Sequence, residues 1–501
     1  MRAVFHSQLS LGEDDIAKIK LDPKSRDDIP QLLAGLQYIY TNPELRQAVF
    51  KILEELVPGR VGSGKSGKAS TDKGRPGMEQ WQILVLGTLR LSLNADYDRI
   101  HELANQHRTV RQMLGHGFLD DETQYTLQRI KDNLRLFTAE LLDRINQEVV
   151  RSGHTLLKKN DIALGGRCDS FVVKTDVHFP TDIGLLFDAL RKTIEECAHL
   201  CELHGCAGWR QSSHNIRIFK KQYRIIQKQK HSTSKDEAKR IAFEERIKQS
   251  HRSYIDLAET FLNRARITRQ SVLKNSQQLL VSVIALDEYI VHAERQIDQI
   301  RRRVLQGETM PHAEKIFSIF QPHTEWISKG KAGVPVELGL RVCVLEDRSG
   351  FILHHRVMQH ETDDKIAVAM IEEAKQRFPH LALCSFDKGF HSPQNHIDLK
   401  AVLDTVVLPK KGRLSAADKD REYAAEFIEA RHQHSAVESA INALGVHGLD
   451  MCRDHGIEGF KRYVGLAVVT RIIQRLGAIV RKIAANKRGS YKKHIPDKLA
   501  A

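Results

Sequence analysis

Apolar positions recur three and four residues apart through the first part of the chain. Pro43 to Pro58 (PELRQAVFKILEELVP) sets Leu45, Val49, Ile52, Leu53 and Leu56 on one stripe, which predicts an amphipathic helix. Periodicity then stops from Gly59 to Met78, a Gly/Ser/Lys-rich stretch that reads as a linker. EQWQILVLGTLRLSL and DYDRIHELANQH predict two helices joined at Asn94-Ala95. A further helix is expected from Thr123 to about Val150, with Leu127, Ile130, Leu134, Phe137, Leu141, Ile145 and Val149 as its apolar face.

The period changes near Arg167. Along DSFVVKTDVHF, alternation puts Asp169, Phe171, Val173, Val177 and Phe179 on one face and Lys174, Asp176 and His178 on the other. From Asp182 to about Met310 long amphipathic helices return. VPVELGLRVCVLED alternates with Val334, Val336, Leu338, Leu340, Val342 and Val344 together, Arg348-Ser349-Gly350 supplies a turn, and FILHHRVM pairs back as a hairpin. A helix begins near Thr362 and ends before Pro379. After it come the strand LALCSF, a short helix capped by Ser392-Pro393, the strand DTVVLP, the basic loop KKGR and a helix from Ser415 through Leu444. Phe460, Val464, Leu466, Val468, Val469 and Ile472 form an apolar C-terminal helix that leads into a basic tail.

With the helical block set aside, the order is three strands, helix, strand, helix, strand, helix. That order predicts an α/β RNase H-like catalytic domain with a large helical insertion between its first and second strands. The expected organisation is an N-terminal helical region (1–58), the linker (59–78), a helical, DNA-binding region (79–160), the catalytic domain (161–450, insertion about 183–320) and a C-terminal helix with tail (451–501).

Charge narrows the function. The 501 residues carry a net charge of +14, and Arg210–Lys274 alone holds seventeen Lys/Arg against six Asp/Glu. A surplus of one sign on this scale favours a phosphate-binding surface over a merely solvated helical face. No apolar run approaches the ~20 residues of a membrane span, and the start MRAVFHSQLSLGEDDIAK has no secretory core segment, so no membrane partner is expected. Seven cysteines without framework spacing point to reduced thiols and a cytoplasmic location.

Against that basic background three acids stand out: Asp169 on a strand, Asp387 at a strand's end in SFDKGF, and Glu438 on a helix. Arg431, His434 and Glu438 fall at i, i+3 and i+7, on one helix face. Two carboxylates about 4 Å apart repel by ~1 kcal/mol in water and ~4 kcal/mol at an effective dielectric of 20, so a gathered trio implies protonation or bound cations. Gly59 to Ser66 spells a phosphate-loop pattern, but a helix precedes it and no apolar helix follows, so it reads as linker. Cys197, Cys201, His204 and Cys206 lack a zinc-knuckle spacing and read as a thiol-bearing helix end. Trp209, at the head of the basic stretch, reads as a packing residue, with stacking on an unpaired base as the alternative.

DSFVVKTDVHFPTD, HTEWISKGKA, SFDKGFHSP, LPKKGRLS and HSAVESAINAL followed by HGLD together resemble the transposases of bacterial insertion sequences in the ISNCY group, of the DDE class. The likeness runs from SRDDIPQLLAGLQYIYTNPELR to GFKRYVGLAVV, nearly the whole chain. It implies a metal-dependent enzyme that cleaves at the ends of an insertion sequence and joins the 3′-OH ends to target DNA. Matching by motif makes Asp169, Asp387 and Glu438 both the catalytic residues and the ligands of two Mg²⁺ (or Mn²⁺) ions. Asp176 and Asp182 stay open as rivals for the first position. Lys388, Arg431, His434, Lys410, Lys411 and Arg413 are candidate phosphate contacts. In the wider class an Arg often stands four residues before the Glu and a Lys seven after; here His434 and Gly445 occupy those places. The implied partners are double-stranded DNA, as terminal inverted repeats and target, and further copies of the chain as a homodimer or higher on DNA. The alternatives are a structure-selective RNase H-like nuclease without strand transfer, and a catalytically inactive DNA-binding protein.

Overall fold

The computed structural model describes residues 4–5, 15–22, 25–56, 77–117, 123–159, 162–229, 235–275, 280–328 and 335–493. The Gly59–Ser66 motif, nearly all of the linker and the last residues of the basic tail lie outside this set. The chain is a mixed α/β protein of two compact units. One is built from the chain up to Asp176 and again from Glu325, the other from Val177–Thr324. Each has a hydrophobic core of its own.

The first unit holds a seven-stranded sheet. Its central strand is β1 (Leu164–Thr175). On one side β3 (Val336–Asp347) runs antiparallel to β1, and β4 (Ile352–Met358) antiparallel to β3. On the other side β5 (Leu381–Phe386) runs parallel to β1, and β6 (Thr405–Val407) parallel to β5. Two short strands complete the sheet: β2 (Glu325–Ser328) pairs with the first half of β3, and β7 (Met451–Cys452) with the end of β1. The β3–β4 hairpin closes on the expected turn, with Gly350 at φ +81°. Asp347 Oδ1 accepts from the Ser349 and Phe351 N–H groups there.

Helices pack on this sheet and on each other in one continuous core. Every residue of the helix Gln80–Ser92 is buried, including polar ones that bond within the helix or to other parts of the protein. Gln82 donates to the Leu114 carbonyl, Thr88 to that of Leu84, and Arg90 to Asp454. A helix buried on all faces is a core element, and it has no free face with which to read DNA. The C-terminal helix Ile457–Lys493 lies in the same core. Its segment Ile457–Asn486 is long and apolar enough to cross a membrane, but 72% of its most apolar window is buried inside the protein.

Two helices expected to be continuous are broken. The one from Thr123 to Val150 forms as Leu127–Leu134 and Ala139–Leu156, because the Thr138 hydroxyl caps the Leu141 N–H and starts a new helix. Ser415–Leu444 forms as Ala416–Glu422, Ala425–His434 and Ala436–Leu444. At the last break the Ser435 hydroxyl donates to the His432 carbonyl, and the backbone tightens to i→i−3 bonds on either side.

The second unit is all helical, built from Asp182–His204, Ser212–Lys228, Glu237–Asn275 and Leu280–Ile300 with two short helical turns. Its core is lined by Leu186, Leu190, Phe219, Tyr254 and Leu286.

Candidate active site

The centre of the sheet gathers the acids. The parallel pairing of β1 and β5 sets Cys168 opposite Phe386, so one further step along both chains brings Asp169 beside Asp387, on neighbours ~4.8 Å apart. Asp387 stands immediately past β5, in extended backbone before the single turn Lys388–Phe390. The Phe386 and Phe390 rings pack at 5.6 Å between centroids and anchor that turn. Glu438 sits in the first turn of the helix Ala436–Leu444. Val437, Ala440 and Leu444 are the buried side of this helix, which packs against β1. Asp169 is partly buried, whereas Asp387 and Glu438 are exposed.

The electrostatics register the convergence. The Asp169 carboxyl is pushed up to about 6, first by burial and then by the negative charges of Asp387, Asp363 and Glu438. The Ser170 N–H, 2.7 Å from Oδ1, pulls the other way. His434 feels the same field. Burial lowers its pKa, while the carboxylates of Asp387 and Glu438 oppose the shift. Its Nδ1 lies 2.9 Å from the hydroxyl of buried Ser385 on β5, a contact that fixes the ring.

Asp363 is the acid that the sequence pattern hides. It is the first residue of the helix Asp363–Arg377, where an acid is ordinarily explained by the helix dipole. Here one carboxylate oxygen is buried with no hydrogen-bond partner. The other lies 3.0 Å from where a Cβ on Gly389 would stand. The missing side chain at 389 thus leaves room for a fourth acid against the turn that carries Asp387.

Of the rivals for the first position, Asp182 pairs with Arg303 at 2.9 Å within the helical unit, and Asp176 lies past the end of β1. Neither is among the charges that dominate at Asp169. Lys388, Lys411, Arg413 and Arg431 are exposed. Lys410 is engaged elsewhere: its ammonium pairs with Asp418 and its backbone N–H donates to Glu422 at 2.7 Å.

Carboxylate oxygens suit Mg²⁺ or Mn²⁺, and an orphaned buried oxygen such as that of Asp363 calls for a cation or a proton. Among the described residues, no group of three or more His, Cys, Asp or Glu is arranged to hold a metal ion as it stands. Oxygen donors of this kind suit a hard cation by their chemistry alone. The cysteine group fits zinc poorly. Cys197 and Cys201 are buried on the helix Asp182–His204, and burial pushes the Cys197 thiol up to about 12. Trp209 is also a packing residue, with its Nε1 2.8 Å from Thr268 Oγ1 and Arg264 stacked 4.3 Å over its ring.

Comparison of the chain with family models, with curated proteins and with solved structures finds no match.

Proposed function

We propose that this chain is a DDE-class transposase, which cleaves DNA at the ends of an insertion sequence and joins the freed 3′-OH ends to target DNA. One observation carries the reading: the β1–β5 register sets Asp169 beside Asp387, and the helix that bears Glu438, distant in sequence, packs on the same strand. The strand order β4-β3-β1-β5-β6, antiparallel on one side of β1 and parallel on the other, supports an RNase H-like domain. The resemblance in sequence supports the same assignment.

In this reading Asp169, Asp387 and Glu438 hold two Mg²⁺ or Mn²⁺ ions, and the Asp363 carboxylate adds negative charge behind them. Cations bound there would supply a nucleophile at neutral pH and would neutralise charge at the leaving oxygen. His434, braced by Ser385, stays neutral and borders the site without adding repulsion. Exposed Lys388, next to Asp387, meets a non-bridging phosphate oxygen. Water attacks first: a P–O bond forms from water, the bond to the 3′ oxygen breaks, and a 3′-OH is released. That hydroxyl then attacks a target phosphodiester, so one P–O bond forms as another breaks and no protein–DNA bond is needed.

Alanine at Asp169, Asp387 or Glu438 should lower Mn²⁺-dependent cleavage at least ~10³-fold, a rise of ~4 kcal/mol in barrier, with DNA binding retained. Unchanged cleavage by Asp387→Ala would remove that residue from the mechanism. A strand-transfer assay on precleaved ends decides between transposase and nuclease: cleavage with no joined product means the chain cuts but does not rejoin.

A further inference from the structure

The helical unit holds a cavity of about 1160 Å³, lined entirely by residues outside the acidic site. One wall is aromatic. Tyr223 lies against Phe187 with ring centroids 5.2 Å apart and planes 22° from parallel, and both rings line the space. Phe179, also in the lining, is 63% exposed. Gln227, Lys248 and Arg303 add hydrogen-bonding and charged groups to the same lining. Asp188 and exposed Glu244 line it too; His178 Nε2 lies 2.5 Å from the Asp188 carboxylate.

The wall that carries Tyr223 belongs to the helix Ser212–Lys228, which has five cations (Arg217, Lys220, Lys221, Arg224 and Lys228) and no carboxylate. All five are exposed. Lys220, Tyr223 and Gln227 fall at i, i+3 and i+7, so cation and cavity wall share one helix face. The occupant this chemistry selects has a flat ring with polar edges, flanked by negative charge. Duplex DNA offers the charge but keeps its ring faces stacked. A single strand offers both.

We propose that this cavity receives an unstacked base of single-stranded DNA, with the adjoining phosphates lying along the exposed cations of Ser212–Lys228. The binding is separate from catalysis at the acids and does not depend on it.

The test uses the full chain and a mixed-sequence single-stranded oligonucleotide carrying 2-aminopurine, compared with the same oligonucleotide in a duplex and with one abasic at that position. The single strand should bind with quenched 2-aminopurine fluorescence. Affinity should drop about 5- to 100-fold for the abasic strand and for Phe179→Ala or Tyr223→Ala. Tyr223→Phe keeps the ring and should bind as the parent does, and exposed Phe179 can be truncated without opening the core. Asp387→Ala should bind with the same quench, so that failure of the proposed catalysis and failure of this site are read separately. Equal affinity for intact and abasic strands, or absence of quenching, would overturn the proposal and leave the cavity to a protein partner.

Discussion

Asp169 binds its proton more tightly in the folded protein than in the unfolded chain. Its carboxyl titrates at about 6 when folded, against ~3.9 in an unfolded peptide. A group whose pKa rises on folding contributes stability that is complete below ~4 and is lost as the pH climbs through about 6. At pH 8 the metal-free protein therefore carries an uncompensated penalty, on the order of 1–2 kcal/mol once residual solvent access is allowed for. Asp169→Asn should remove it. Urea unfolding without metal should show the variant more stable by about that amount at pH 8 and no better at pH 4. Mg²⁺ should narrow the gap, because it would stabilise only the protein that retains the ligand. Equal stability at pH 8 would mean that neither burial nor the neighbouring acids raise the Asp169 carboxyl. At this scale the sequence singled out Asp169, Asp387 and Glu438 and passed over Asp363, whose charge also reaches Asp169. Asp363 escaped because a Thr-Asp-Asp start is the ordinary signature of a helix N-terminus, and its burial depends on the bare backbone of Gly389, far along the chain. Nor does anything in KKGR reveal that Asp418 folds back to pair with the Lys410 ammonium.

Between elements, one very close packing is where the helix Asp28–Thr41 crosses the C-terminal helix. A Cβ on Gly35 would stand 2.1 Å from the Ile473 carbonyl oxygen, and one on Gly477 would stand 2.1 Å from that of Gln31. Both obstructions are backbone, which no side-chain rotation relieves. Alanine gains up to ~1 kcal/mol in helix propensity at such a position, but overpacking a tight core costs about 1–3 kcal/mol and occasionally more. Gly35→Ala and Gly477→Ala should thus each destabilise, by a net of up to ~2 kcal/mol in urea unfolding. The double variant should lose less than the sum, since one separation of the helices relieves both clashes. A neutral Gly35→Ala would show that the crossing is looser than drawn. Helix existence was easy to read from the apolar period here, and the hairpin from its Arg-Ser-Gly turn. Continuity was harder. Thr138 and Ser435 interrupt apolar periods that run on unbroken, because one hydroxyl cap or one tightened turn redirects the chain while the pattern of buried positions survives.

For the whole molecule, the long basic helical stretch was legible as a block distinct from the strands around it, and it forms the compact unit Val177–Thr324. What the sequence obscured is that the N-terminal helices, the sheet and the C-terminal helix share one core. EQWQILVLGTLRLSL reads simply as a helix, yet partners remote in sequence bond Gln82 and Arg90 and the helix is buried on every side. For the proposed action on DNA, the charge points to the helical unit. Of the net +14, a surplus of eleven falls within Arg210–Lys274. If six to ten phosphates are contacted, affinity for DNA should fall ~10³–10⁵-fold between 50 and 200 mM salt. That loss alone would fit any basic protein, so the decisive measurement is the slope. Each phosphate contact removed lowers the dependence of log affinity on log salt by ~0.9 for duplex DNA. Reversing Lys220, Lys221 and Arg224 to Glu should therefore flatten the slope by about three and weaken binding alike across sequences. The three side chains are exposed, so the fold should persist in circular dichroism. An unaltered slope would show that the helical unit does not carry the phosphates, and the +14 charge would have to act through the sheet-containing unit instead.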